Sequence, residues 1–121
     1  MPRHILPENA IHPAVREKIS SLHRAIVDEV QSALSKHSVV IIGMGLNPFP
    51  KKARKMLDAI GQPYHYLEFG NYFNQWRERN SLKLWTGWPT FPMVFVKGSL
   101  IGGAMDLQAL IDQGELQKLL K

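Results

Sequence analysis

The chain is 121 residues long, about one domain's worth, with 45% hydrophobic and 21% charged residues, an ordinary globular mixture that argues against disorder. It contains no cysteine, which excludes disulfides and any chemistry or metal binding that rests on the protein's own thiolate. The net charge is +5, and four of the fifteen basic residues crowd into Lys51-Lys52-Ala-Arg54-Lys55.

From the N-terminus, Met-Pro-Arg-His-Ile-Leu-Pro lacks the apolar core of a signal peptide, and no apolar run reaches the ~20 residues of a membrane span. A cytoplasmic location and no membrane partner are the expectations. Val15, Ile19, Leu22, Ile26, Val30 and Leu34 recur at spacings of three and four, predicting one amphipathic helix over 14–35 that packs on the rest of the chain. Residues 1–37 read as an N-terminal extension, and 38–121 as the main domain.

Beyond it the elements alternate. A strand is expected over 38–43, a helix over about 50–60 stopped by Gly61 and Pro63, a strand over 64–69 and a helix over 71–84. Strands over 93–97 and 99–102 share a Lys97-Gly98 turn, and helices fill 106–120. The order implies a mixed sheet with helices on both faces. The short loop Asn47-Pro48-Phe49-Pro50 opens the second helix. Asn47 suits an N-cap and Pro48 a first helical position. Pro50 disfavours helical Phe49, so a start at Pro48 and a start at Pro50 both stay open.

The segment from Ser38 through Asn47-Pro48-Phe49-Pro50 to Leu57 resembles the opening of a glutaredoxin, whose loop carries Cys-Pro-Tyr-Cys or Cys-Gly-Phe-Ser. Trp88-Pro89-Thr90-Phe91-Pro92, followed by Gly102-Gly103, is similar to the monothiol glutaredoxin pattern. Gly114-Glu115-Leu116 is similar to the family's closing motif. The resemblance implies an α/β thioredoxin-like fold with a mixed four-stranded sheet flanked by helices, preceded here by a helical extension. It also implies a cis peptide before Pro92 and a groove between that segment and the Asn47 loop.

In that family a cysteine stands where this chain has Asn47, which is neither basic nor nucleophilic, so no catalytic residue is expected. A lysine three positions earlier meets a ligand carboxylate, and Met44 stands there. Phe91 would offer its backbone beside Thr90 and Pro92. After Gly103 the family places Cys-Asp, where this chain reads Ala104-Met105, with Asp106 one position later. Arg79 lies near a position that contacts the ligand's glycine carboxylate, and Lys51 or Lys52 are further cations within the region. The expected ligand-binding set is therefore Met44, Arg79, Thr90, Phe91, Pro92, Gly103, Ala104 and Met105.

With both matched charges lost, glutathione is expected to bind weakly, and an iron–sulfur cluster has no protein thiolate to hold it. The scattered histidines give no zinc-ligand spacing, so no metal and no cofactor are expected. Trp76, Trp85, Trp88, Phe69, Tyr72 and Phe73 read as core residues. The basic cluster has no interleaved aromatics, so nucleic acid is not an expected partner. The expectation is a cysteine-free, redox-inactive glutaredoxin relative that keeps a partial glutathione or peptide groove and binds a peptide or protein partner. The alternative is a glutathione-dependent enzyme in which the ligand's thiol does the chemistry, and a weaker third reading is an anion site built on Asn47 and Lys51–Lys55.

Overall fold

The computed structural model describes residues 3–21, 24–71 and 73–121. The helices are α1 (Pro13–Ser21), α2 (Arg24–Lys36), α3 (Pro48–Ala59), α4 (Trp76–Thr86), α5 (Ala104–Asp112) and α6 (Glu115–Leu120). The strands are β1 (Val39–Gly43), β2 (His65–Glu68), β3 (Met93–Val96) and β4 (Ser99–Gly102), and they form one sheet in the order β2-β1-β3-β4. β1 runs parallel to β2 and antiparallel to β3, which pairs antiparallel with β4.

Every residue of β1 is buried, as a central strand covered on both faces must be. Alternation along β1 divides the core in two. Val40 and Ile42 pack with Val30 and Ala33 of α2 and Leu82 of α4 on one face. Val39 and Ile41 pack with Leu57 of α3, Leu107 of α5 and Leu116 of α6 on the other. The groove described below therefore opens between α4 on one layer and α5 on the opposite layer.

Of the helix expected over 14–35, Pro13–Ser21 and Arg24–Lys36 are helical, labelled α1 and α2, and Leu22 and His23 lie outside the described residues. In α1 the hydroxyls of Ser20 and Ser21 donate back to the Glu17 carbonyl. α1 buries none of its described residues, and Val15 and Ile19 are exposed, whereas α2 joins the core. The stacked rings of His37 and His65, 4.3 Å apart, join the end of α2 to the start of β2.

α3 starts at Pro48. Asn47 is extended, with ψ of 122°, and caps the helix, while Pro50 falls inside the first turn, where its missing N–H has no intrahelical partner to lose. α4 starts at Trp76, five residues later than 71, because the asparagines take the backbone for a turn. Asn71 Oδ1 accepts from Phe73 N and Asn74 Oδ1 accepts from Asn71 N. Two of the aromatics read as core are exposed in consequence, Phe73 and Trp76, while Phe69 is buried. Tyr72 lies outside the described residues.

Candidate functional site

A groove of about 490 Å³ lies at the end of the sheet, where the loop opening α3 faces the segment before β3. It brings together Met44, Asn47, Pro48 and Phe49 with Thr90, Phe91 and Pro92, and adds Gly103, Ala104, Met105 and Asp106 from the start of α5. The Phe91–Pro92 peptide bond is cis.

Asn47 is fixed at both ends of its carboxamide. Oδ1 accepts from Phe49 N at 3.0 Å, closing the helix cap, and Nδ2 donates to the carbonyl oxygen of Phe91 at 3.2 Å. Phe91 precedes β3 and stands outside the ladder with β1. Its carbonyl is thus taken from within the chain, while no described residue accepts from its N–H. At the other wall Asp106 Oδ2 accepts from Gly103 N at 2.9 Å, a contact that caps α5. Gly102 has φ of +112°, and a Cβ there would run into the Asp106 carboxylate, so glycine is required to seat that cap.

Arg79 stands apart from these residues. Its side chain is buried, and Nη1 donates to the carbonyl oxygens of Phe69 at 2.9 Å and Asn74 at 2.6 Å, pinning the loop before α4. The guanidinium is committed to that loop and does not line the groove. Lys83, one helical turn further along α4, lines it instead, with Nζ 5.8 Å from the centre of the Phe91 ring. Lys83 was not singled out from sequence. The signal available was its position four residues after Arg79, on the same face of a helix.

Met44 is buried, so it supplies floor and no charge, whereas Met105 is 81% exposed on the lip. Trp88 also lines the groove, and its Nε1 is buried with no acceptor among the described residues.

The basic cluster is divided. Lys52 lies over the Phe49 ring at 5.0 Å, while Lys51 and Arg54 line a neighbouring cleft with Asn47 and Pro48, where the Arg54 guanidinium sits 4.1 Å from the centre of the Tyr66 ring. In that cleft the Tyr66 hydroxyl donates to Glu68 Oε1 at 2.9 Å. Burial first, and then the bond to Glu68, pushes the phenol up to about 12. Gly43 makes room for it, because a Cβ there would stand 2.6 Å from the Tyr66 hydroxyl and 2.7 Å from Pro50.

A helix that opens across a groove from a cis-proline segment, on a mixed four-stranded sheet with helices on both faces, defines a thioredoxin-like protein. The glutaredoxin family model matches residues 39–101. A glutaredoxin-like protein from Dictyostelium discoideum is 41% identical over 103 residues, covering 85% of this chain and 84% of the relative. Glutaredoxin-C4 from Arabidopsis thaliana is 31% identical over 93 residues, covering 77% and 69%. The chain belongs to the glutaredoxin family, as a member with no cysteine. Among solved structures, oxidized glutaredoxin 2 from Chlamydomonas reinhardtii superposes with a TM-score of 0.69 at 28% identity, covering 81% of this chain and 92% of that one. A buckwheat glutaredoxin–glutathione complex superposes with a TM-score of 0.70 at 22% identity, over 82% of this chain and 90% of that one, which speaks to the fold alone.

Proposed function

We propose that this protein works by binding, without thiol exchange, and that its ligand is an extended peptide segment of a partner laid along the groove at Phe91. The observation that carries this reading is the double engagement of Asn47. The position at which the family keeps its nucleophile holds a carboxamide committed to the cap of α3 and to the Phe91 carbonyl. Such a group orients and stabilises, and it neither attacks a disulfide nor forms one. Around it the groove keeps an apolar floor and lip and a Phe91 N–H with no described acceptor, which suits one-sided pairing with a ligand carbonyl.

The enzyme reading requires the tripeptide to be held firmly enough for its own thiol to react. Met44 gives no charge, Arg79 is spent on the Phe69–Asn74 loop, and the Gly103 N–H is already taken by Asp106. These three facts favour the binder. The buckwheat relative's ligand is nonetheless the first to test. Amide shifts of labelled protein are followed during titration with glutathione and, separately, with extended apolar peptides. The expected result is groove shifts centred on Phe91 and Met105 with peptide, and weak shifts with glutathione. Tight glutathione binding would place the enzyme reading first.

A further inference from the structure

The lysines of α3 weaken that helix and find no acidic partner among the described residues. Lys51 and Lys55 stand four residues apart, and Lys52 and Lys55 three, spacings at which like charges repel across one helix face. No acidic residue occupies the first turn to offset them. The only ion pairs among the described residues are Arg24 with Asp28 and Lys118 with Glu115. The carboxylates of α3 and α5 are engaged elsewhere: Asp58 accepts from the Tyr64 hydroxyl, Asp106 from Gly103 N and Asp112 from Gln108 Nε2. Away from the groove at Phe91, Lys52 and Lys55 rim a cleft of about 450 Å³ between α3 and α5. Its floor is apolar, formed by Met56 and Ile111, which pack on the core beneath, and by Ile60, 41% exposed just past the end of α3.

We infer that the α3–α5 cleft docks an acidic amphipathic helix of a partner protein, with carboxylates facing Lys52 and Lys55 and apolar side chains seated on Met56, Ile60 and Ile111. The surface is separate from the groove at Phe91 and does not depend on the reading of that groove. Both walls of the cleft are helices, so it presents no strand edge. An extended segment lying there would cover its own backbone groups without replacing their hydrogen bonds, whereas a helix satisfies its N–H and C=O groups internally. Carboxylates three or four residues apart on such a helix match the spacing of the lysines and relieve the repulsion that α3 carries alone. Nucleic acid would meet the lysines but leave the apolar floor uncovered, and no aromatic ring lines the cleft for a base to stack on. A neutral helix would cover the floor and leave the ammonium groups unmatched.

The test titrates the full chain with blocked, fluorescein-tagged peptides of about 18 residues, long enough for a helix to form, and reads anisotropy and amide shifts. One peptide carries leucines on one face bordered by glutamates, a second scrambles the same residues, and a third has lysine for every glutamate. A short DNA duplex is the polyanion control. The acidic amphipathic peptide is expected to bind about tenfold tighter than the other three, with shifts over 52–60 and 108–111 and none at Phe91. Lys52→Glu combined with Lys55→Glu transfers the preference to the lysine peptide, and Ile60→Ser, at an exposed position, weakens the acidic peptide severalfold. Equal binding by the scrambled peptide, or tighter binding by the duplex, would mean that the lysines read charge alone and would overturn the inference. Shifts confined to the groove at Phe91 would also overturn it while supporting the proposed function. Absence of shifts anywhere would overturn it, as would shifts at the cleft that grow with protein concentration alone, the mark of a second copy.

Discussion

Asn47 donates from Nδ2 to the Phe91 carbonyl across 44 residues of sequence, at 3.2 Å, and so ties the loop that opens α3 to the segment that leads into β3. The same side chain caps α3 through Phe49 N. One residue therefore serves stability and occupies a backbone acceptor at the heart of the groove. The two roles make opposite predictions for its removal. Asn47→Ala is expected to destabilise the fold by about 1–2 kcal/mol, the usual cost of a lost N-cap, measured by urea unfolding. It also releases the Phe91 carbonyl for two-sided pairing with a ligand, so peptide affinity is expected to rise. A fall in both stability and affinity would show that Asn47 itself contacts the ligand.

The purified chain is expected to show no turnover in a glutathione-coupled disulfide reductase assay, because it has no residue that can enter a mixed disulfide. Turnover that scales with protein and survives removal of contaminating enzymes would contradict this. Asn47→Cys is expected to give weak activity, since a thiol there sits at the N-terminus of α3, where the helix dipole favours the thiolate. The gain is limited by Met44, which brings no cation to the site.

How much of this was legible in the sequence follows from which residues act locally. The buried run Val39–Ile42, the Asn47 cap and the Trp88–Pro92 block are short-range patterns, and the sheet, α3 and the groove's main walls appear where those patterns place them. The start of α4 was missed because Asn71 and Asn74 satisfy the backbone by side-chain bonds, which periodicity does not register. Helical spacing over 14–35 was legible too, but not that Val15 and Ile19 stay exposed while Val30 and Ala33 enter the core. Arg79 and Lys83 share a helix face, and only packing decides which is buried against the loop and which reaches the groove.

Arg79 holds the loop before α4 through two carbonyls, and it is the one buried charged residue among the described residues. Arg79→Met keeps much of the side chain's bulk and removes both bonds, leaving the Phe69 and Asn74 carbonyls without this donor. The expected cost is roughly 2–3 kcal/mol, with faster amide exchange over 69–75. Glutathione or peptide affinity should change little, because the guanidinium does not reach the groove. A large loss of affinity with unchanged loop exchange would return Arg79 to the ligand site.

Tyr66 carries a pH signature. Its phenol is raised from an ordinary value near 10 to about 12, so the folded chain keeps the proton over a range in which the unfolded chain has lost it. The contribution is complete below pH 10 and is lost as the pH rises from there toward 12. Tyr66→Phe keeps the ring under Arg54 and removes the titrating group. In urea unfolding at pH 9 and pH 11.5, the parent is expected to lose more stability than the variant between the two values, on the order of 1 kcal/mol after allowance for solvent screening. Parallel losses would mean that Tyr66 titrates alike in both states.

Met44 and Met105 stand where the family places a lysine and an aspartate, and the structure separates them by burial. Met105 is exposed at the second position of α5, near the positive end of the helix dipole. Met105→Asp is expected to be tolerated or mildly stabilising, by a few tenths of a kcal/mol, and to strengthen glutathione binding through a new partner for the ligand's amine. Met44 is buried in the α2 and α4 layer of the core, so Met44→Lys must carry its ammonium out to the groove along its own methylenes and loses packing on the way. Calorimetry on the native chain, the Asp variant and the double variant distinguishes the cases. Weak native binding, a gain of about 1 kcal/mol for Met105→Asp and a further gain with lower stability for the double variant is the expected series. Tight binding by the native chain would instead show that Lys83 and Asp106 already serve the tripeptide's ends.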